Sequence, residues 1–271
     1  MHQLFSFWNL PAATRRAGLV LAAGALALSA VGCKENTVEI LPDAGLGYYP
    51  VAVGNYWIYA VADTTWSPAS GQGSQVTPSV ATVNAFQFRE TIASTFTDAA
   101  GKTSYRLVRS KRLSPTAAWV DDSVFILSPS AQSVILNRNN LRTLELIFPV
   151  REGRLWNFNA YSNNSEDTVT AETRRYRHVG EPFSTTVSGT TTAYPATVTT
   201  TNEGTAQADD AYYVNTYQQV FAKGVGPVFR RKRRFSNYYY ISSGGGNVVF
   251  VPKSYTFGYS RRETLIEYKV N

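Results

Sequence analysis

Apolar and polar side chains alternate along most of this chain, and no segment sustains the spacing of an amphipathic helix. The run from Tyr56 sets the pattern. Trp57, Tyr59 and Val61 fall on one face of an extended chain, and Tyr56, Ile58 and Ala60 on the other. Residues 76–97 are rich in Val, Thr and Phe and end in Asp98-Ala99-Ala100-Gly101-Lys102, the composition of a hairpin turn. Residues 103–113, 119–127, 134–137 and 141–148 continue the strand reading, as do 167–179, 211–222, 228–242, 247–251 and 254–270. Ser243-Gly244-Gly245-Gly246 separates two of these as a hairpin signal. The Thr-rich stretch 184–205 suits strands better than a loose loop, which predicts a long hairpin turning near Ala193–Ala196.

One phrase occurs twice. Tyr49-Pro50-Val51 leads through Gly54 to Trp57 and Tyr59, and 99 residues later Phe148-Pro149-Val150 leads through Gly153 to Trp156 and Phe158 with the same spacing. In the second copy the face opposite the ring residues carries Asn157 and Asn159, so the tryptophan side is the one expected to be buried. Proline presets an extended entry and glycine a turn, each just ahead of the strand that carries the tryptophan. The expectation is an all-β, mostly antiparallel curved sheet, a sandwich or a partly open barrel. It would hold two related β units, 49–147 and 148–271.

The first residues break this pattern. Arg15 and Arg16 precede a short apolar run, Ala17 to Gly32, that is rich in Ala and Gly and ends at Cys33, the sole cysteine. The run is short of the roughly 20 apolar residues a membrane-spanning helix needs, and it has the layout of a secretory signal. Ala30-Val31-Gly32-Cys33 resembles the lipobox of bacterial lipoproteins, with Ala30 where Leu is usual. That resemblance implies cleavage before Cys33, acylation of its thiol and amine, and a chain divided into a signal peptide (1–32), a tether (33–48) and one β domain (49–271). Each buried methylene contributes about 0.8 kcal/mol, so two or three acyl chains would hold the domain on a membrane lastingly.

The chain has 271 residues and a net charge of +7. Removing residues 1–32 takes away Arg15 and Arg16 and leaves 24 basic against 19 acidic side chains, a mild +5. Such a balance favours anionic partners only weakly. With its one thiol acylated, the mature chain has no disulfide framework, and its stability must come from packing.

The Tyr49-Pro50…Gly54-Asn55-x-Trp57-x-Tyr59 opening, set shortly after a lipidated cysteine, resembles a group of lipoproteins common in Bacteroidota. Gly224-Val225-Gly226-Pro227-Val228 is similar to a second phrase of that group, with Pro227 in place of the commoner apolar residue. The resemblance implies an envelope location and an aromatic-rich β domain, and it brings no catalytic residue. Lys34-Glu35 after the cysteine, without the Asp associated with inner-membrane retention, points toward the outer membrane of a Gram-negative cell.

Candidate chemistry is sparse. His178 is the sole histidine of the mature chain, and no Gly-x-Ser-x-Gly elbow is present. The pairs Asp121-Asp122, Glu166-Asp167 and Asp209-Asp210 put neighbouring carboxylates on opposite faces of a strand. No His/Cys cluster or calcium-loop pattern suggests a metal, and no cofactor is expected. The conspicuous polar feature is Arg230-Arg231-Lys232-Arg233-Arg234. A strand would send Arg230, Lys232 and Arg234 to one side and Arg231 and Arg233 to the other. Charge on both faces argues for an exposed or edge strand, where such residues block edge-to-edge pairing. The sharper reading is an anion-binding strip for lipid head groups or acidic glycans, aided by Arg174, Arg175 and Arg177; nucleic acid is out of place in an envelope protein. Tyr212-Tyr213 and Tyr238-Tyr239-Tyr240 suit either sugar stacking or cross-strand packing.

The functional expectation is a membrane-anchored binding or structural module without catalysis. A lipid or lipoprotein carrier, marked by an apolar cavity, and an envelope glycan hydrolase, marked by two facing carboxylates, are the alternatives.

Overall fold

A computed structural model describes residues 43–161, 172–203 and 208–271. The leader, Cys33 and the Glu166-Asp167 pair lie outside the described residues. Packing reaches back into the stretch read as tether: Leu46–Tyr48 form a single 3-10 turn, and Tyr48 is buried.

The rest is antiparallel sheet. Six strands form a first meander: β1 (Tyr56–Trp66), β2 (Ala81–Thr97), β3 (Thr103–Arg112), β4 (Val120–Pro129), β5 (Ser133–Arg138) and β6 (Leu141–Ile147). A second follows with β7 (Leu155–Asn157), β8 (Thr173–Val187), β9 (Thr190–Glu203), the two-residue β10 (Ala208–Asp209), β11 (Tyr213–Ala222), β12 (Gly226–Ile241) and β13 (Val248–Lys269). The order across the sheet is β6-β5-β4-β3-β2-β1-β13-β12-β11-β9-β8-β7, with β10 beside β11. Sequence neighbours are therefore sheet neighbours almost throughout, and the long β1–β13 pairing, Tyr56↔Lys269 to Trp66↔Gly258, joins the meanders.

The two edges curl toward each other into a nearly closed barrel. At the seam the Leu144 amide donates to the Phe158 carbonyl (2.8 Å), and the Trp156 indole donates to the Leu144 carbonyl (2.9 Å). Tyr176 bridges the same edge through Ile147, accepting from its amide at 2.7 Å and donating to its carbonyl at 2.8 Å.

Alternation decides what fills the barrel. Trp57, Tyr59 and Val61 of β1 point inward and are buried, as the pattern predicts, together with Phe86 and Phe88 of β2, Leu107 of β3, Phe125 and Leu127 of β4 and Leu146 of β6. Trp156 in the second phrase is buried as well.

Two expectations are corrected. The β8–β9 hairpin turns at Ser188-Gly189, not near Ala193–Ala196: these two residues have φ of 48° and 83°, the left-handed pair that a two-residue turn between twisted strands requires. And β12 is not an edge, because β11 and β13 flank it, and Arg230 in its first half is only 6 % exposed. Reading charge on both faces as exposure failed at Arg230, because Glu90 of β2 and Glu263 of β13 neutralise it on the inward side.

Candidate functional site

Both ends of the barrel are built by particular residues. One end is closed by the segment that enters the fold. Tyr49 packs on Trp57 (ring centres 6.1 Å apart) and on Phe221 (5.8 Å). Trp57 then donates to the Val225 carbonyl (2.6 Å), and the Tyr59 hydroxyl donates to the Pro227 carbonyl (2.9 Å). Gly226 lies flat against this indole: a Cβ there would sit 3.1 Å from Trp57 Nε1, at a φ of 103°. The opening phrase and the Gly224–Val228 phrase, 168 residues apart, thus form one lock. Its ring residues are structural, and so is Asn55, fully buried between the Pro50 carbonyl and the Asn271 amide. In the second copy Gly153 also has positive φ (74°), Phe148 and Val150 are buried, and the Val150 amide donates to the Ala44 carbonyl (2.9 Å) of the entering segment.

Above the lock lies a layer of paired charge, in which Glu90, Glu145, Arg230 and Glu263 are buried and their partners half-buried. Arg230 reaches Glu90 (3.0 Å) and Glu263 (2.9 Å), and Arg109 also reaches Glu90 (2.5 Å). Arg138 pairs with Glu145 (3.2 Å) and Arg261 with Asp63 (2.5 Å). Four guanidiniums thus meet four carboxylates. Each of these guanidiniums also lies over an aromatic ring, Arg230 over Tyr59 at 4.9 Å and Arg109 over Phe88 at 4.5 Å among them. Burial by itself would raise the Glu90 carboxyl, but the charges and hydrogen bonds of Arg230 and Arg109 outweigh it and hold that group well below the ordinary range. Burial, with Glu145 nearby, pushes the Tyr217 hydroxyl up to about 12. Among these carboxylates Glu90 is the one that its two arginines hold in the ionised form, which does not suit it to deliver a proton.

The opposite end is open and basic. A cavity of about 540 Å³ there is lined by Arg138, Arg174, Lys232, Arg234, Glu172 and Tyr217, among others. Arg174 is 3 % exposed and lies between two rings, 4.2 Å from the centre of Phe158 and 3.9 Å from that of Tyr217. Its Nη2 pairs with Glu172, while its buried Nε and Nη1 have no hydrogen-bond partner. Lys232 and Arg234 project into the same space, and neither has a carboxylate partner among the described residues. The Lys232 ammonium is pushed below its usual range, first by lost hydration and then by the charge of Arg234.

The basic run is therefore divided three ways. Arg230 is consumed by the charge layer, Lys232 and Arg234 line the mouth, and Arg231 and Arg233 face outward. Of the three helper arginines only Arg174 reaches the cavity; Arg175 and Arg177 pair with Glu203 at 3.4 Å and 3.0 Å. Arg138 was missed, since a lone arginine before an Asn139-Asn140 turn carries no sequence signal.

The remaining candidates stand apart. His178 is exposed at a bend in β8 beside Glu181 (2.9 Å). Asp210 caps the amides of Tyr212 and Tyr213, while Asp121 and Asp122 accept from Ser110 and Ser123. Tyr212, Tyr239 and Phe250 pack edge-on or tilted at 5.0–5.6 Å, a cross-strand cluster near the β12–β13 turn.

No protein-family model matches the chain, and no curated protein matches it. Among solved structures it is similar to a "putative lipoprotein" from Parabacteroides distasonis ATCC 8503, with 11% identity over 84% of this chain and 100% of that one, and a TM-score of 0.35. A likeness this slight assigns no function. It leaves the reading of this chain to its own residues.

Proposed function

We propose that this chain is a lipid-anchored cell-envelope protein, held through acylated Cys33, whose β domain is a binding module rather than a catalyst. The observation that carries the reading is the distribution of charge: the interior is filled and ion-paired, and surplus charge gathers at one open mouth. A lipid carrier would need an apolar hollow where this barrel has aromatic rings and paired arginines. A glycan hydrolase would need a carboxyl able to donate a proton, whereas Glu90, Glu145 and Glu263 each face a guanidinium.

The lipid anchor is argued from the sequence around Cys33. An outer-membrane location is part of the same proposal. Labelling of cells with a radioactive fatty acid should mark the wild-type protein, and Cys33→Ala should abolish both the label and recovery in the detergent phase. A Cys33→Ala protein that still fractionates as a lipoprotein defeats the anchor. Protease shaving of intact cells then distinguishes a surface-facing from a periplasmic domain.

A further inference from the structure

We propose that the open mouth of the barrel binds a phosphate monoester, with Lys232 and Arg234 as its principal counter-charges and Arg174 at its wall. The proposal starts from a count of charge. Inside the barrel Arg109, Arg138, Arg230 and Arg261 are matched by Glu90, Glu145, Glu263 and Asp63, so that layer is neutral. In the cavity wall Arg174 is matched by Glu172. Among the described residues that line the mouth, what is left without an ion-pair partner is Lys232 and Arg234, two residues apart on one strand and on one face, with Glu172 the carboxylate whose field reaches Lys232.

Proteins ordinarily disperse like charges. Here the pair is concentrated in a concave space, where low-dielectric walls focus the field and raise its attraction for an anion. The local cost is visible in Lys232, whose ammonium is destabilised by lost water and by Arg234. A ligand of charge −2 removes that cost; a phosphate monoester carries about −1.5 to −2 at neutral pH and offers three acceptor oxygens. Arg174 adds N–H groups that have no acceptor although they are buried, a condition an incoming oxyanion would relieve by a small opening of the Phe158–Tyr217 sandwich. The cavity, about 540 Å³, exceeds the phosphate group alone and suits an ester with a small polar body, within the usual range for ligand pockets.

This inference rests on the binding-module reading but not on the acyl anchor. Its chemistry could be met by a soluble sugar phosphate or by a phosphomonoester lipid head group. The test uses the full chain purified in neutral detergent and titrated with glucose-6-phosphate by calorimetry, with glucose-6-sulfate and glucose as comparisons. Saturable binding is expected for the phosphate, about tenfold weaker binding for the singly charged sulfate, and none for glucose. Lys232→Gln and Arg234→Gln should each weaken phosphate binding about tenfold, with thermal midpoints near that of the wild type. Arg231→Gln and Arg233→Gln, the outward neighbours on the same strand, should leave it unchanged. Phosphatidic acid added in the same detergent should displace the sugar phosphate if a head group is the natural source, and phosphatidylcholine should not; lack of displacement assigns the site to soluble esters.

Absence of saturable binding by both the sugar phosphate and phosphatidic acid overturns the proposal, as does equal loss in the outward variants. If it fails while Cys33→Ala still releases the protein from membranes, the ligand class is wrong and the anchored module stands.

Discussion

Glu90 shows how a single residue can carry the interior. It is 1 % exposed and accepts from two arginines on different strands, one from β3 and one from β12. Removing one member of such a buried pair leaves an uncompensated charge, so Glu90→Gln should lower stability by about 3–5 kcal/mol, measured by urea unfolding at neutral pH. The sign of the pH effect follows from the lowered carboxyl. In the unfolded chain Glu90 takes up a proton near pH 4.3, and in the folded protein only at much lower pH. Its stabilisation is therefore complete above that unfolded value and drains away as acid is added. Between about pH 5 and 2 the wild type should lose stability more steeply than Glu90→Gln. Parallel acid limbs would show that this carboxylate is not what holds Arg109 and Arg230.

At the scale of an element, the turn before β12 is specified by contact as much as by conformation. Gly224 and Gly226 both have positive φ, 76° and 103°. A Cβ on Gly224 meets nothing within 4 Å, whereas one on Gly226 meets the Trp57 indole. Gly224→Ala should cost about 1 kcal/mol from backbone strain alone, and Gly226→Ala distinctly more, up to about 3 kcal/mol. Chemical denaturation of both variants checks the order. In the Gly226→Ala protein the Trp57 fluorescence should also shift, because the indole must move off the Val225 carbonyl. The strand pattern was readable in sequence because alternation is a local consequence of backbone geometry. The β8–β9 turn was misplaced although Ser188-Gly189 is a turn dipeptide, because a single Ser-Gly inside a Thr-rich run competes with Pro195 as a break.

Over the whole molecule, the barrel is uneven around its circumference. β1 and β13 pair from Tyr56↔Lys269 to Trp66↔Gly258, whereas β7 has three residues and meets β6 through little more than the Leu144–Phe158 hydrogen bond and the Trp156 indole. Local opening should begin where the fewest hydrogen bonds and contacts must break. Hydrogen–deuterium exchange is expected to run faster in 141–147 and 155–158 than in 56–66 and 259–269, and Trp156→Phe should widen that gap. Uniform exchange around the barrel would mean that the seam is as firm as the rest. The two meanders each begin on a tryptophan strand that follows the repeated phrase. That arrangement is what an internal duplication of 49–147 and 148–271 would produce, and it remains our proposal for the repeat.

The amino-acid sequence alone determined that this is a β protein, where most of its turns fall, which face of the tryptophan strands is buried, and the expectation of an acyl anchor at Cys33. Each of these is written in neighbouring residues, through alternation, turn chemistry or the residues flanking one cysteine. Tertiary structure alone decided the fate of the charged side chains. Arg230 and Arg234 stand four positions apart in one basic run, yet the first is neutralised by β2 and β13 while the second is left facing an open mouth. The environment of Arg230 is set by carboxylates 140 and 33 positions away, and the range of the Coulomb interaction in a poorly hydrated interior makes those partners, not its sequence neighbours, the deciding influence.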